Sequence, residues 1–161
     1  MNFAIYGDII YSTGLNSVTS HKDSYLICEN GISQGVFKQL LDKYKGIKIY
    51  DYRDDLVFPG LIDLHLNAPQ YSFIGLHMDE ELIDWLNKYT FPEEAKYNIE
   101  YAKEAYDIFI NDLKFSPTTQ FNICSIIHVP ATIYLMKQLD KIGMKGFVGK
   151  VNMDRNCPKN L

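Results

Sequence analysis

The chain has 161 residues, 47% of them hydrophobic and 14% aromatic, which is the profile of one globular protein with a packed core and not of a disordered chain. A formal net charge of -4, with the lysines and arginines scattered singly, argues against nucleic acid and anionic membranes as partners. No apolar run approaches the roughly 20 residues that a membrane span needs, and the N-terminus lacks the basic and apolar regions of a secretory signal.

Residues 1–57 read as a small domain of short antiparallel strands. Phe3 to Tyr11, Ser24 to Cys28 and Ile47 to Tyr52 are rich in β-branched and aromatic side chains. Asn30-Gly31 marks a hairpin, because both residues accept the positive φ angles of a tight turn. Phe37 to Lys45 is ambiguous, with a helical turn ended by Gly46 as one reading. Cys28, Cys124 and Cys157 are odd in number and widely spaced, as in a cytoplasmic protein with reduced thiols. Cys124 sits in an apolar run and reads as a small core residue.

After Pro59 the pattern alternates. Val57 to Tyr71 begins as an apolar strand, turns at Pro59-Gly60 and places His65 and Asn67 two residues apart. Such a pair shares one face of a strand. Ile83 to Asn87 is a helical patch around Trp85. Pro92 with Glu93 and Glu94 behind it predicts the start of a long helix. Ala102, Ala105, Tyr106, Phe109, Ile110 and Leu113 give that helix its apolar stripe. Phe121 to Ile127 predicts a strand buried on both faces. Pro130 opens another helix, with Ile133, Met136, Leu139 and Ile142 on its apolar side and Gly143 as its stop. Phe147 to Val151 closes the series as a buried strand. Residues 58–161 therefore read β-α-β-α-β, with crossovers suited to a parallel sheet. A closed eight-fold barrel would need about 250 residues.

Three stretches in this order resemble the guanine deaminases, a branch of the metal-dependent amidohydrolase superfamily. Phe58-Pro59-Gly60-Leu61-Ile62-Asp63-Leu64-His65 is similar to the superfamily's Pro-Gly-x-x-Asp-x-His-x-His. Ala68-Pro69-Gln70-Tyr71, followed by Trp85-Leu86-Asn87-Lys88-Tyr89-Thr90-Phe91-Pro92-Glu93-Glu94, is the run that narrows the likeness to guanine deaminases. Phe147-Val148-Gly149-Lys150-Val151-Asn152-Met153-Asp154 is similar to their third-strand segment.

The resemblance implies an α/β chain: a small N-terminal antiparallel β-sheet, as a partial β-sandwich, and then the first βαβαβ units of a TIM-type (β/α)8 barrel, incomplete in this chain. It implies hydrolytic deamination of guanine to xanthine and ammonia by a metal-activated water, with Zn2+ or iron as the metal. His65 takes a metal-ligand position, and Asn67 stands where the pattern has the second histidine. An amide is a weak ligand for zinc, so metal affinity is expected to fall. Asn67, Ala68, Pro69 and Gln70 are the implied purine contacts, with Trp85 as a further candidate. The family's proton-shuttling glutamate and metal-binding aspartate would lie beyond Leu161, so these residues alone are expected to be inactive. The implied assemblies are a homodimer or a pairing with a chain that completes the barrel. The alternative is a non-catalytic remnant that acts as an interaction module through its open sheet edge.

The remaining candidates have plainer readings. Asp63 bonds backbone within the turn. His128 ends a strand as a satisfied, capped histidine. His21 and His77 are loop residues without partners. Ser116-Pro117-Thr118-Thr119 replaces the usual Asn-Gly-Thr-Thr of the family and loses an easy positive-φ position. Neither Gly-x-Ser-x-Gly, nor the His-x-Glu and Pro-Cys-x-x-Cys signature of smaller zinc deaminases, nor a phosphate loop occurs.

Overall fold

A computed structural model describes residues 1–155, 157–159 and 161. They form two compact units, Met1–Pro59 and Gly60–Leu161.

The first unit is one four-stranded sheet of β1 (Phe3–Gly14), β2 (Ser17–Glu29), β3 (Ile32–Phe37) and β4 (Lys48–Val57), in the order β3-β2-β1-β4. The Asn30-Gly31 turn joins β2 to β3 with φ angles of 52° and 80°. The sheet is not the short antiparallel one expected. β1 and β2 run for 12 and 13 residues, and β4 pairs with β1 in parallel. The reason lies in residues 38–47, which carry the chain back to the starting end of the sheet and so oblige β4 to run alongside β1. That return holds a 3-10 turn at Asp42–Tyr44, which places the buried Tyr44 against Ala4 and Ile27. His21 lies inside β2, not in a loop, with Nε2 3.3 Å from the Tyr11 hydroxyl.

The second unit is built on β5 (Leu61–Asn67), β6 (Thr118–Cys124) and β7 (Lys145–Gly149), all parallel, in the order β5-β6-β7. Helix α3 (Ile99–Lys114) crosses between β5 and β6, and α4 (Val129–Lys141) between β6 and β7. Ala102, Tyr106, Phe109, Ile110 and Leu113 of α3 pack with Phe121 and Ile123 of β6 and with Ala131, Leu135 and Leu139 of α4. Each large side chain buried there contributes about 1.5–3 kcal/mol.

Three details differ from the sequence reading. Helix α3 begins at Asn98, whose side chain accepts the Tyr101 N–H as an N-cap at 2.9 Å, and not at Pro92. The buried side of α4 is Ala131, Thr132, Leu135 and Leu139, while Ile133 and Met136 are exposed. Strand β7 is an edge strand of this sheet, and its Phe147 is 79% exposed instead of buried.

Candidate functional site

The C-terminal end of β5 is irregular. Asp63 pairs with Phe121 and Leu66 with Ile123, so three steps along β5 oppose two along β6. Such a bulge leaves backbone groups off the ladder and re-aims side chains. The His65 N–H is taken up by Asp63 Oδ1 at 3.1 Å, and the Asn122 amide donates to the Leu64 carbonyl at 3.3 Å. His65 and Asn67 emerge side by side, with Asn67 Nδ2 3.3 Å from His65 Nε2.

The chain then winds through a 3-10 turn at Ala68–Phe73 with Pro69 in its first turn. Ala68 and Pro69 are buried under this turn and do not border the adjoining cavity, whereas Asn67 and Gln70 do. The cavity, about 480 Å³, is closed by residues 74–78, Glu80 and Leu82, with Trp85 as a further wall. Trp85 belongs to α1 (Leu82–Trp85), which continues through a π-turn at Leu86–Thr90 into α2 (Phe91–Glu94). Pro92 has no N–H to give a regular helix, and the wider turn just before it accommodates that loss. Trp85 Nε1 and Thr90 Oγ1 are buried with no partner among the described residues.

The cavity wall is held from two sides. His77, at a φ of 59°, stacks on Tyr89 with ring centres 3.5 Å apart and planes 4° from parallel. Lys88 reaches Glu80 at 2.8 Å. His77 is thus a partnered wall residue, which its isolated place in the sequence did not show. His128 also departs from expectation. It caps α4 through its backbone, but its buried Nε2 has no partner among the described residues, and it does not line the cavity.

Behind the turn, Tyr97 donates its hydroxyl to the Pro69 carbonyl at 2.9 Å, and Ser72 donates to Glu93 at 3.2 Å. Glu94, next to Glu93 in the chain, is 8% exposed. Burial pushes its carboxyl up to about 7. Glu93, its neighbour, is held below the ordinary carboxylate range: burial would raise it, but bonds from Lys96, Tyr101 and Ser72 outweigh that. Tyr106 lies deeper, pushed up to about 12 chiefly by burial, with its hydroxyl 3.4 Å from Ser125. Sequence reasoning missed Glu94. Two adjacent acids on a helical turn project about 100° apart, and nothing local says which one faces inward.

The model of the amidohydrolase family matches residues 56–160, which takes in the bulged strand, the turn and the cavity wall. The chain belongs to the amidohydrolase family. Other comparisons narrow the likeness within amidohydrolases. The guanine deaminase of Escherichia coli is 39% identical over 116 residues, 71% of this chain and 26% of that protein. The guanine deaminase of Homo sapiens is 41% identical over 103 residues, 63% of this chain and 23% of that protein. The crystal structure of guanine deaminase from C. acetobutylicum with guanine in its active site superposes with a TM-score of 0.94 at 43% identity. It covers all of this chain, which spans 39% of that one. The chain thus spans about a quarter of the length of the curated relatives it matches.

Amidohydrolases are typically metal-dependent. The described residues do not fit a metal by themselves. No group of three His, Cys, Asp or Glu side chains converges among them. The one imidazole at the strand end already has its Nε2 engaged by Asn67. Turning the amide over does not free it, since Nε2 would then carry a proton donated to the amide oxygen. What these residues offer is polar recognition beside an apolar wall. No helix among the described residues is long and apolar enough to cross a membrane.

Proposed function

We propose that this amidohydrolase chain takes guanine as its ligand and belongs to the chemistry of guanine deamination. In that reaction water adds to the amino-bearing ring carbon, and the amino nitrogen leaves as ammonia to give xanthine. The observation that carries the reading is the strand-to-turn segment His65–Tyr71, which brings Asn67 and Gln70 to the wall of one cavity that Trp85 also lines. A carboxamide offers a donor and an acceptor together, which matches the mixed edge of a purine. An apolar cavity with a few convergent polar groups is the usual form of a small-ligand site. Ala68 and Pro69 shape the turn from beneath and are not proposed as direct contacts.

In this reading the 161 residues supply binding, with little or no turnover. His65 and Asn67 occupy the metal-ligand positions of the family, but their mutual hydrogen bond opposes metal capture. Zinc and iron, the metals that the family likeness implies, both accept an imidazole such as that of His65. The three cysteines are all unpaired, which supports a reducing, cytoplasmic setting. Titrating the purified chain with guanine and added zinc tests both halves. Saturable guanine binding without xanthine formation is expected. Xanthine at an enzyme-like rate of about 1 s⁻¹ or more would overturn the non-catalytic half.

A second reading, an interaction module that pairs through β7, has one observation in its favour: Phe147 projects from that edge strand almost fully exposed. It predicts concentration-dependent association on a sizing column, and association abolished by Phe147→Ser. A monomer at all concentrations speaks against it.

A further inference from the structure

Residues 74–78 and Glu80 wall the cavity, yet the core does not hold them. Ile74, Leu76 and Met78 are 71%, 54% and 77% exposed, and none of residues 74–79 is buried. Among the described residues, no backbone hydrogen bond reaches residues 77–79. Two side-chain contacts hold the strap instead. The His77 ring lies flat on the Tyr89 ring at 3.5 Å, and Glu80 takes the Lys88 ammonium at 2.8 Å. Both partners come from the π-turn at Leu86–Thr90.

The backbone of the strap is unevenly strained. Gly75 has a φ of 76°, which costs glycine little. His77 has a φ of 59°, which a residue with a Cβ keeps only when its surroundings compel it. The stack on Tyr89 is what compels it here. We propose that residues 74–81 are a lid on the cavity, hinged at Gly75 and latched by the His77 ring on Tyr89.

When the rings part, His77 relaxes to negative φ and the strap turns about Gly75, away from the π-turn. The cavity then opens, and Trp85 in its wall meets solvent. The Lys88–Glu80 pair is partly exposed and screened by water, so it steadies the closed lid but does not decide it. Moving parts of binding sites come from such weakly held segments. That the retained ligand is guanine rests on the reading above, whereas the latch does not.

Trp85 is the single tryptophan of the chain, and its Nε1 is buried. Acrylamide quenching of its fluorescence therefore reads the lid without any ligand. His77→Ala and Tyr89→Ala should each raise the quenching constant about twofold or more, as loss of a stacked ring pair implies. The double variant should gain no more than either single one, because both remove the same contact. Tyr89→Phe keeps the ring and should quench like the wild type. Wild-type quenching in His77→Ala, or additive rises in the double variant, overturns the latch. His77 lies on the exposed strap, so its variant decides even if Tyr89→Ala fails to fold. Stopped-flow mixing with guanine adds a second readout. A lid gates both directions, so His77→Ala should speed association and dissociation together. Faster dissociation with unchanged association would reduce His77 to a ligand contact and overturn the lid. If the wild-type chain binds no guanine at all, the substrate reading fails while the quenching still decides the latch.

Discussion

Asn67 Nδ2 lies 3.3 Å from His65 Nε2, so the two polar side chains at the end of β5 bond to each other. A histidine in place of Asn67 would offer a second ring-nitrogen lone pair once the one proton between the two rings is displaced, whereas an amide nitrogen has no lone pair to give a metal. The amide therefore closes a pair that two imidazoles would leave open to a metal.

Asn67→His should accordingly tighten zinc binding by tenfold or more, about 1.4 kcal/mol. Competition against a chromophoric chelator measures it. Equal zinc affinity in the two chains would mean that the Asn67–His65 bond does not limit metal capture. The substitution supplies a second imidazole but no third ligand, so no deamination is expected to appear with it.

Tyr97→Phe removes the hydroxyl that donates to the buried Pro69 carbonyl. The carbonyl is then left without its donor in a dry setting, which costs about 1–3 kcal/mol. Urea denaturation should show that loss. Guanine binding should weaken as well, because Pro69 sits one residue before Gln70. A stability loss with unchanged guanine affinity would show that the turn holds its shape without this attachment.

Much of the second unit was legible because its signals are local. The β-α-β-α-β alternation, the proline in the first turn of α4 and the glycine after it each follow from a few neighbouring residues. The parallel pairing of β1 with β4 was not legible, since a strand's own alternation says nothing about which neighbour it will join. The helix start at Asn98 was hidden by Pro92, which gives a stronger start signal but opens only the short α2. Ile133 and Met136 have helical spacing and are exposed all the same, because Ala131, Thr132 and Leu135 offer a closer-packing face. At the candidate site, the sharing of one face by His65 and Asn67 follows from strand geometry alone. The burial of Glu94 left no mark in the pattern.

Gly146 of β7 faces Phe121 of β6 so closely that an added Cβ would run into the Phe121 carbonyl oxygen and ring. Gly146→Ala should destabilise the second unit by about 1–3 kcal/mol, the usual cost of overpacking. Thermal unfolding followed by near-ultraviolet circular dichroism would report it through the aromatic residues of that unit. A variant as stable as the wild type would mean that β7 moves away from β6 at little cost.

Glu94 should also shape how stability depends on pH. Its carboxyl titrates near 7 in the folded chain against 4.5 for an unburied glutamate. Below pH 4.5 both states hold the proton. Between 4.5 and 7 the unfolded chain gives it up while the folded chain keeps it, so stability falls as pH rises. Above 7 both states are ionised and the contribution is lost, a total on the order of 3 kcal/mol. Glu94→Gln carries no ionisable group and should remove this slope, so its advantage over the wild type should grow from pH 5 to pH 8. Urea midpoints taken at intervals across that range measure the difference directly. A constant difference between the two chains would mean that Glu94 keeps an ordinary acidity when folded, with enough contact to water to ionise freely.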